Sequence, residues 1–142
     1  MGMKLIDKVK NNIEIRKKLK LQGKSNFIES VDHAIDGISY TANHERNFKI
    51  ELFMMVAVLI AGVYFKVSKI EWLILLLTIG NVLTLELINT SIERCVDLVT
   101  KDYHELAKNA KDISAGAVLI MSIFSVCVGI IIFLPKILEM FR

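Results

Sequence analysis

Proline is nearly absent from this chain. Pro135 stands alone among 142 residues, beside seven glycines. These are the residues that interrupt helices, so their scarcity leaves long stretches free to be helical and excludes a loop-rich or turn-dense β fold. Cysteine is scarce too. Cys95 and Cys127 have no paired spacing, which rules out a disulfide framework or a cysteine metal centre. Both lie in apolar helical surroundings and read as packing residues. Internal repeats and low-complexity tracts are missing, and the first residues carry lysines rather than the apolar core of a secretory leader. Apolar residues, by contrast, are abundant. They make up 54% of the chain, with a mean hydropathy of +0.49, too apolar for a soluble domain of this single-domain length.

The formal charge of +3 hides an asymmetry. Ten of the eighteen Lys and Arg precede the first apolar run: Lys4, Lys8, Lys10, Arg16, Lys17, Lys18, Lys20, Lys24, Arg46 and Lys49. Such a basic face can bind nucleic acid or simply be solvated. Beside membrane spans, attraction to anionic lipid on the cytoplasmic leaflet is the expected role, and nucleic acid is not an expected partner. Leu5, Ile6, Val9, Ile13 and Leu19 among these lysines predict an interfacial amphipathic helix over 4–20, within a basic extension 1–25. Gly23-Lys24-Ser25 is no phosphate loop, because the glycine required five residues before Gly23 is Lys18. Asn26 is a candidate cap, and a second surface helix is expected over 26–44 with Phe27, Val31, Ala34, Ile35 and Ile38 on one side.

The membrane-embedded part is then 26–142, with spans expected at about 47–65, 70–99 and 113–135. The uncharged run Leu52–Phe65 is short of the ~20 residues that cross a bilayer, and a snorkelling Lys49 lets it borrow Phe48 and Ile50. Lys66–Glu71 reads as a short turn, and Trp72 as an interfacial anchor opening the second span. Thr100–Asp112 reads as a polar connection. Ile113–Pro135 is an uncharged run whose exit is marked by Pro135 and Lys136. The Lys/Arg bias puts the N-terminus and the 100–112 connection in the cytoplasm, and the C-terminus outside. The expected fold class is an all-α integral membrane protein with three transmembrane helices plus N-terminal amphipathic surface helices.

The chemistry concentrates at the end of the second span. At about 100° per residue, Glu86, Asn89, Glu93 and Asp97 fall within roughly 80° of one another. A carboxylate at membrane depth costs at least ~2.5 kcal/mol, so several on one stripe imply a task. On the expected topology this stripe shares the cytoplasmic interface with Glu45. The bland alternative is a helix leaving the bilayer with hydrated acids.

The segment Glu86-Leu87-Ile88-Asn89-Thr90-Ser91-Ile92-Glu93-Arg94-Cys95-Val96-Asp97 matches at every fixed position a known signature, Glu-Leu-x-Asn-(Thr/Ser)-(Ala/Ser)-Ile-Glu-x-x-Val-Asp. It resembles the prokaryotic diacylglycerol kinase and undecaprenol kinase family. Tyr103–Val118, with its Lys111-Asp112 pair, and His44–Leu52 resemble two further family blocks in family order. The resemblance implies a homotrimeric helical bundle in the bacterial plasma membrane. It also implies sites shared between protomers and an ATP- and Mg²⁺-dependent transfer of phosphate to a membrane lipid alcohol. Glu45 and Glu93 then match metal-holding acids, with Glu93 also the proposed base. Glu86 and Asn89 match supporting residues, and Lys111 and Asp112 match the pair that meets the nucleotide. Glu51 and Asp97 match polar family positions of less defined role, in substrate contact or support. The block around Asn47-Phe48-Lys49-Ile50 looks more like the Gram-positive undecaprenol kinase branch, with diacylglycerol the other candidate acceptor.

Each residue has a second reading. Glu86 and Glu93 can be structural partners of Lys49 or Lys111, and Glu45 a solvated interface acid. Lys111 and Asp112 can be a first helical turn capped by Asp112 or Ser114. Ser114-Ala115-Gly116-Ala117 suits close helix packing, and His33, His44 and His104 read as interfacial polar residues. For the whole chain, a small proton-coupled exporter with one intramembrane Glu is the rival from another class. A non-enzymatic membrane subunit comes last.

Overall fold

The computed structural model describes residues 27–142. The amphipathic helix expected over 4–20, the extension 1–25 and the Asn26 cap lie outside the described residues. Four helices account for nearly all the rest: α1 (Phe27–His44), α2 (Arg46–Tyr64), α3 (Lys69–Val99) and α4 (Glu105–Met140). The described residues contain no strand. Three helices, α2 to α4, are long and apolar enough to cross a membrane, so the all-α class with three spans stands.

The described residues up to Ile38 and those from Ser39 onward belong to two separate units. In the first, α1 exposes Phe27, Val31, Ile35 and Ile38 at intervals of one helical turn. The second holds the end of α1 and the three long helices, in which α3 packs along α4 and, less extensively, against α2.

The α2–α3 hairpin is fixed by local chemistry at both helix ends. Where α2 stops, Val67 N–H donates to the Gly62 carbonyl at 3.1 Å and Lys66 N–H to Val63 at 3.2 Å. This is the Schellman pattern, with Lys66 at φ 51° in the place glycine usually takes. Where α3 starts, Ser68 Oγ accepts from Glu71 N–H at 3.3 Å while Glu71 Oε2 accepts from Ser68 N–H at 2.6 Å. That reciprocal capping box uses a Ser-x-x-Glu spacing. A Cβ on Gly62 would lie 2.6 Å from Trp72 Cη2, so the glycine is what lets α3 close on α2. Val67, Leu75 and Ile132 are buried beside it, with Phe65 and Phe133 packed against them. Lys136 on α4 reaches Glu71 Oε1 at 3.1 Å and locks the third helix to the same corner.

Several sequence expectations change here. The connection expected over Thr100–Asp112 is confined to 100–104, because α4 begins at Glu105. Its first turn is held by the His104 ring, whose Nδ1 accepts from Leu106 N–H at 3.2 Å. Lys111, Asp112 and Ser114 are therefore helix-interior residues and cap nothing. Pro135 does not end the helix either. The helix runs through it to Met140, and the missing amide leaves only the Ile131 carbonyl without its usual donor. The small-residue stretch does not bring a close neighbour to Gly116, since a Cβ there would meet nothing within 4 Å. Cys95 and Cys127 are free and exposed, so neither is a buried packing residue of this chain.

Length separates the helices. At 1.5 Å per residue α2 is roughly 28 Å long and α3 roughly 46 Å. A hydrocarbon core of ~30 Å therefore accommodates α2 and leaves α3 in excess. With the hairpin fixing one end, the start of α2 lies level with about Glu86–Asn89, and the last turns of α3 run on beyond it.

Candidate active site at the open end of the bundle

Among the described residues, buried polar side chains outnumber buried apolar ones. Phe48, Val67, Leu75 and Ile132 are the apolar set, and Thr41, Glu86, Asn89, Thr90 and Ser114 the polar set. The polar set lies toward the end away from the hairpin. Glu86 is the extreme case, a carboxylic acid with 3% of its surface exposed. Burying such a group is costly unless it is bonded, paired or used.

Asn89 organises its neighbours. One turn along α3, its Nδ2 donates to Glu93 Oε1 at 3.1 Å. On its other side, Oδ1 lies 2.6 Å from Ser114 Oγ of α4, whose hydroxyl alternates between it and the Lys111 carbonyl at 2.9 Å. An amide with its NH₂ on a carboxylate and its oxygen on a hydroxyl has one sensible orientation. Glu93 is thereby held from behind with its second oxygen uncommitted.

Glu45 joins from the break between α1 and α2. It occupies the α2 N-cap position in extended backbone (φ −99°, ψ 123°), yet its side chain caps no amide. Instead Oε1 accepts from Arg94 Nη2 at 2.5 Å. The guanidinium also lies 5.5 Å above the Tyr40 ring, which stacks on His44 at 4.2 Å. Lys49 Nζ donates to the Asn43 carbonyl at 2.8 Å, serving the end of α1 rather than an acid. Glu45 and Glu93 both lie within electrostatic reach of Glu86, and Glu51 is coupled to Glu86 in turn.

The structural readings of these acids can now be judged. None of the described ion pairs reaches Glu86 or Glu93. Lys111 Nζ bonds Asp97 Oδ1 at 2.5 Å across α3 and α4, and Lys108 pairs with Asp112 one turn away. Lys111 and Asp112 are thus engaged separately, about a turn beyond Glu93. No group of three or more His, Cys, Asp or Glu at metal-holding spacing occurs among the described residues.

Between α2 and α4, floored by α3, lies a cavity of about 590 Å³. Its walls are apolar: Met54, Val58, Val82, Leu119 and Phe133 among them. At its polar end stand Glu51, Glu86 and Asn89. Glu51 Oε2 is enclosed and accepts no hydrogen bond, a vacant acceptor at the mouth of an apolar slot.

Sequence reasoning passed over Arg94 and gave Ser114 only a capping or packing role. Nothing in local spacing could join Arg94 to Glu45, 49 positions away. The one available signal was a cation directly following Glu93.

Known proteins are similar to this chain over most of its length. The family model for prokaryotic diacylglycerol kinase matches residues 32–133. The undecaprenol kinase of Bacillus subtilis is 49% identical over 110 residues, covering 78% of this chain and 89% of that protein. A diacylglycerol kinase of Synechocystis is 44% identical over 116 residues, 81% of this chain and 66% of the relative. The Escherichia coli K12 diacylglycerol kinase is 28% identical over 104 residues, 73% and 85% of the two chains. A match of this extent leaves the exporter and the non-enzymatic subunit without support. The chain belongs to the prokaryotic diacylglycerol kinase family and is a membrane kinase acting on a lipid alcohol.

Proposed function

We propose that the chain transfers the terminal phosphoryl group of ATP to undecaprenol, giving undecaprenyl phosphate. The observation that carries this reading is the juxtaposition of an apolar slot with the carboxylates Glu51 and Glu86. An amphiphilic alcohol fits such a place, its hydroxyl among the acids and its chain between α2 and α4. A slot of about 590 Å³ takes the first isoprene units and leaves the remaining chain in the bilayer. The choice of undecaprenol over diacylglycerol follows the 49% identity to the Bacillus enzyme over 89% of its length.

Magnesium prefers hard oxygens and is typically held by one or two carboxylates together with substrate phosphates. Glu45 and Glu93 supply such a pair, which is why a third protein acid is not required. The ion's contribution when bound is to shield the phosphates and align them. Everything else is done by the chain's own residues. Glu93, oriented by Asn89, receives the proton of the lipid hydroxyl. The lipid oxygen bonds to the γ-phosphorus as the bond to the ADP oxygen breaks. Lys111, released from Asp97, neutralises phosphate as a point charge, and Asp112 positions the nucleotide beside it. Glu86 supports the site from its buried position, with Glu51 nearer the acceptor and Asp97 holding Lys111 between turnovers.

In this reading the carboxylate end faces the cytoplasm, where ATP is, and the hairpin and C-terminus lie toward the outer face. The apolar stripe of α1 and the lysines of residues 1–25 rest on the anionic leaflet. Protomers assemble as a trimer that shares its sites. The test is phosphate transfer to undecaprenol and to diacylglycerol in parallel, with and without Mg²⁺, on purified protein in detergent. Metal-dependent transfer that favours undecaprenol is the expected result. Preferential transfer to diacylglycerol would reassign the acceptor, and none to either would remove the reading.

A further inference from the structure

A site built from Glu45, Glu86 and Glu93 repels the triphosphate it must bind, so the cations within reach decide whether binding occurs. Lys111 and Lys108 are engaged with Asp97 and Asp112, Lys49 with a carbonyl, and Lys136 with Glu71 at the far corner. Arg94 is the described cation that contacts one of the three site carboxylates directly. It follows Glu93 in sequence, and its side chain is 51% exposed. A guanidinium has five N–H donors in a planar fork suited to phosphate. The described bonds use one of them, on Glu45. The Arg94 guanidinium carbon lies 5.5 Å over the Tyr40 ring, a contact that uses none of its donors.

Glu45 is also the residue that should cap α2 and does not. Its carboxylate is spent on Arg94 instead. A pair this exposed contributes little stability, so it is a weak brace and an easily exchanged one. We propose that Arg94 is a phosphate-binding residue of the nucleotide site, held in place by Glu45 and handed to the phosphates when that carboxylate turns to the divalent cation. This rests on the metal role given to Glu45 above. It adds an arginine, and an exchange of partners, that the family motif does not specify.

The test uses the full chain in detergent or nanodiscs, with a fluorescent ATP analogue plus Mg²⁺ for nucleotide binding. Mn²⁺ alone, followed by electron paramagnetic resonance, reads the metal site. Arg94→Ala is expected to weaken nucleotide binding by about ten-fold or more, the scale of a lost charge-assisted contact. Mn²⁺ alone should bind it at least as tightly as wild type, because Glu45 has lost its competitor. Arg94→Lys should fall between, since an ammonium keeps the charge and loses the fork. Glu45→Gln gives the converse, a loss of Mn²⁺ with Arg94 left free. Nucleotide affinity of a folded Arg94→Ala or Arg94→Gln protein within about two-fold of wild type would make the pair a brace only and overturn the proposal. A wild-type protein that binds no nucleotide with Mg²⁺ overturns the underlying kinase-site reading as well, which keeps the two failures distinct.

Discussion

The two ends of the helical bundle are built on opposite principles. At the hairpin end every feature closes space: Gly62 admits the Trp72 ring, Val67 and Leu75 are buried, and Glu71 serves both the capping box and Lys136. At the other end α2 and α4 stand apart, the cavity opens, and the groups buried beside Phe48 are an acid, an amide and hydroxyls. One end contributes the rigidity that the other forgoes. Functional geometry held on rigid elements is more exact than geometry held on loops. Here the three helices that carry the acids are clamped together roughly a membrane's thickness away.

If this division is right, substitutions should sort by end. The largest effect is expected from Glu93→Gln, which removes the proposed proton acceptor while keeping the size and the bond from Asn89. Turnover should fall by about a thousand-fold or more, toward the upper range for a positioned base, with a wild-type unfolding profile in detergent. Near-normal transfer by that variant would break the comparison at its functional side. Gly62→Ala is the mirror experiment. A Cβ 2.6 Å from Trp72 must displace a ring, and overpacking of this kind costs about 1–3 kcal/mol. Unfolding should come earlier, while activity per folded molecule stays close to wild type. A selective loss of turnover instead would mean the ends are not separable.

Two smaller changes at the hairpin should act in opposite directions. Ser68→Ala removes the reciprocal cap and should cost about 1 kcal/mol. Lys66→Gly relieves a left-handed residue at φ 51° and should gain about 1 kcal/mol, the preference for glycine at such a position. Denaturant titration of both variants decides the signs. Ser114→Ala is expected to be the mildest at the open end, slowing transfer by only a few-fold. Asn89 loses one partner there and keeps its bond to Glu93. A collapse in activity would show that the hydroxyl does more than steady the amide.

Legibility in the sequence followed the range of the interactions. The spans were readable because hydropathy is a property of contiguous residues, and the stripe from Glu86 to Asp97 because helical periodicity is local. The Ser68-x-x-Glu71 cap was equally local and was overlooked inside a segment taken for a plain turn. The start of α4 was hidden by composition. Charges between Lys101 and Asp112 resemble a loop, although they are compatible with a helix that has left the hydrocarbon. Arg94 with Glu45 and Ser114 with Asn89 join different helices across 49 and 25 positions. Such pairs depend on how helices are rotated against one another, which no single segment encodes.

The hairpin has one more consequence, in the order of assembly. Its bonds and its close contact join Gly62, Val63, Lys66, Val67, Ser68, Glu71 and Trp72, all within ten positions of one another. None of them requires α4. As the chain is made, α2 and α3 can therefore pair with each other before α4 has been synthesised. The third span then docks onto a template already shaped. Ser114 meets Asn89 and Lys111 meets Asp97 only at that last step, so the polar end is completed after the apolar one.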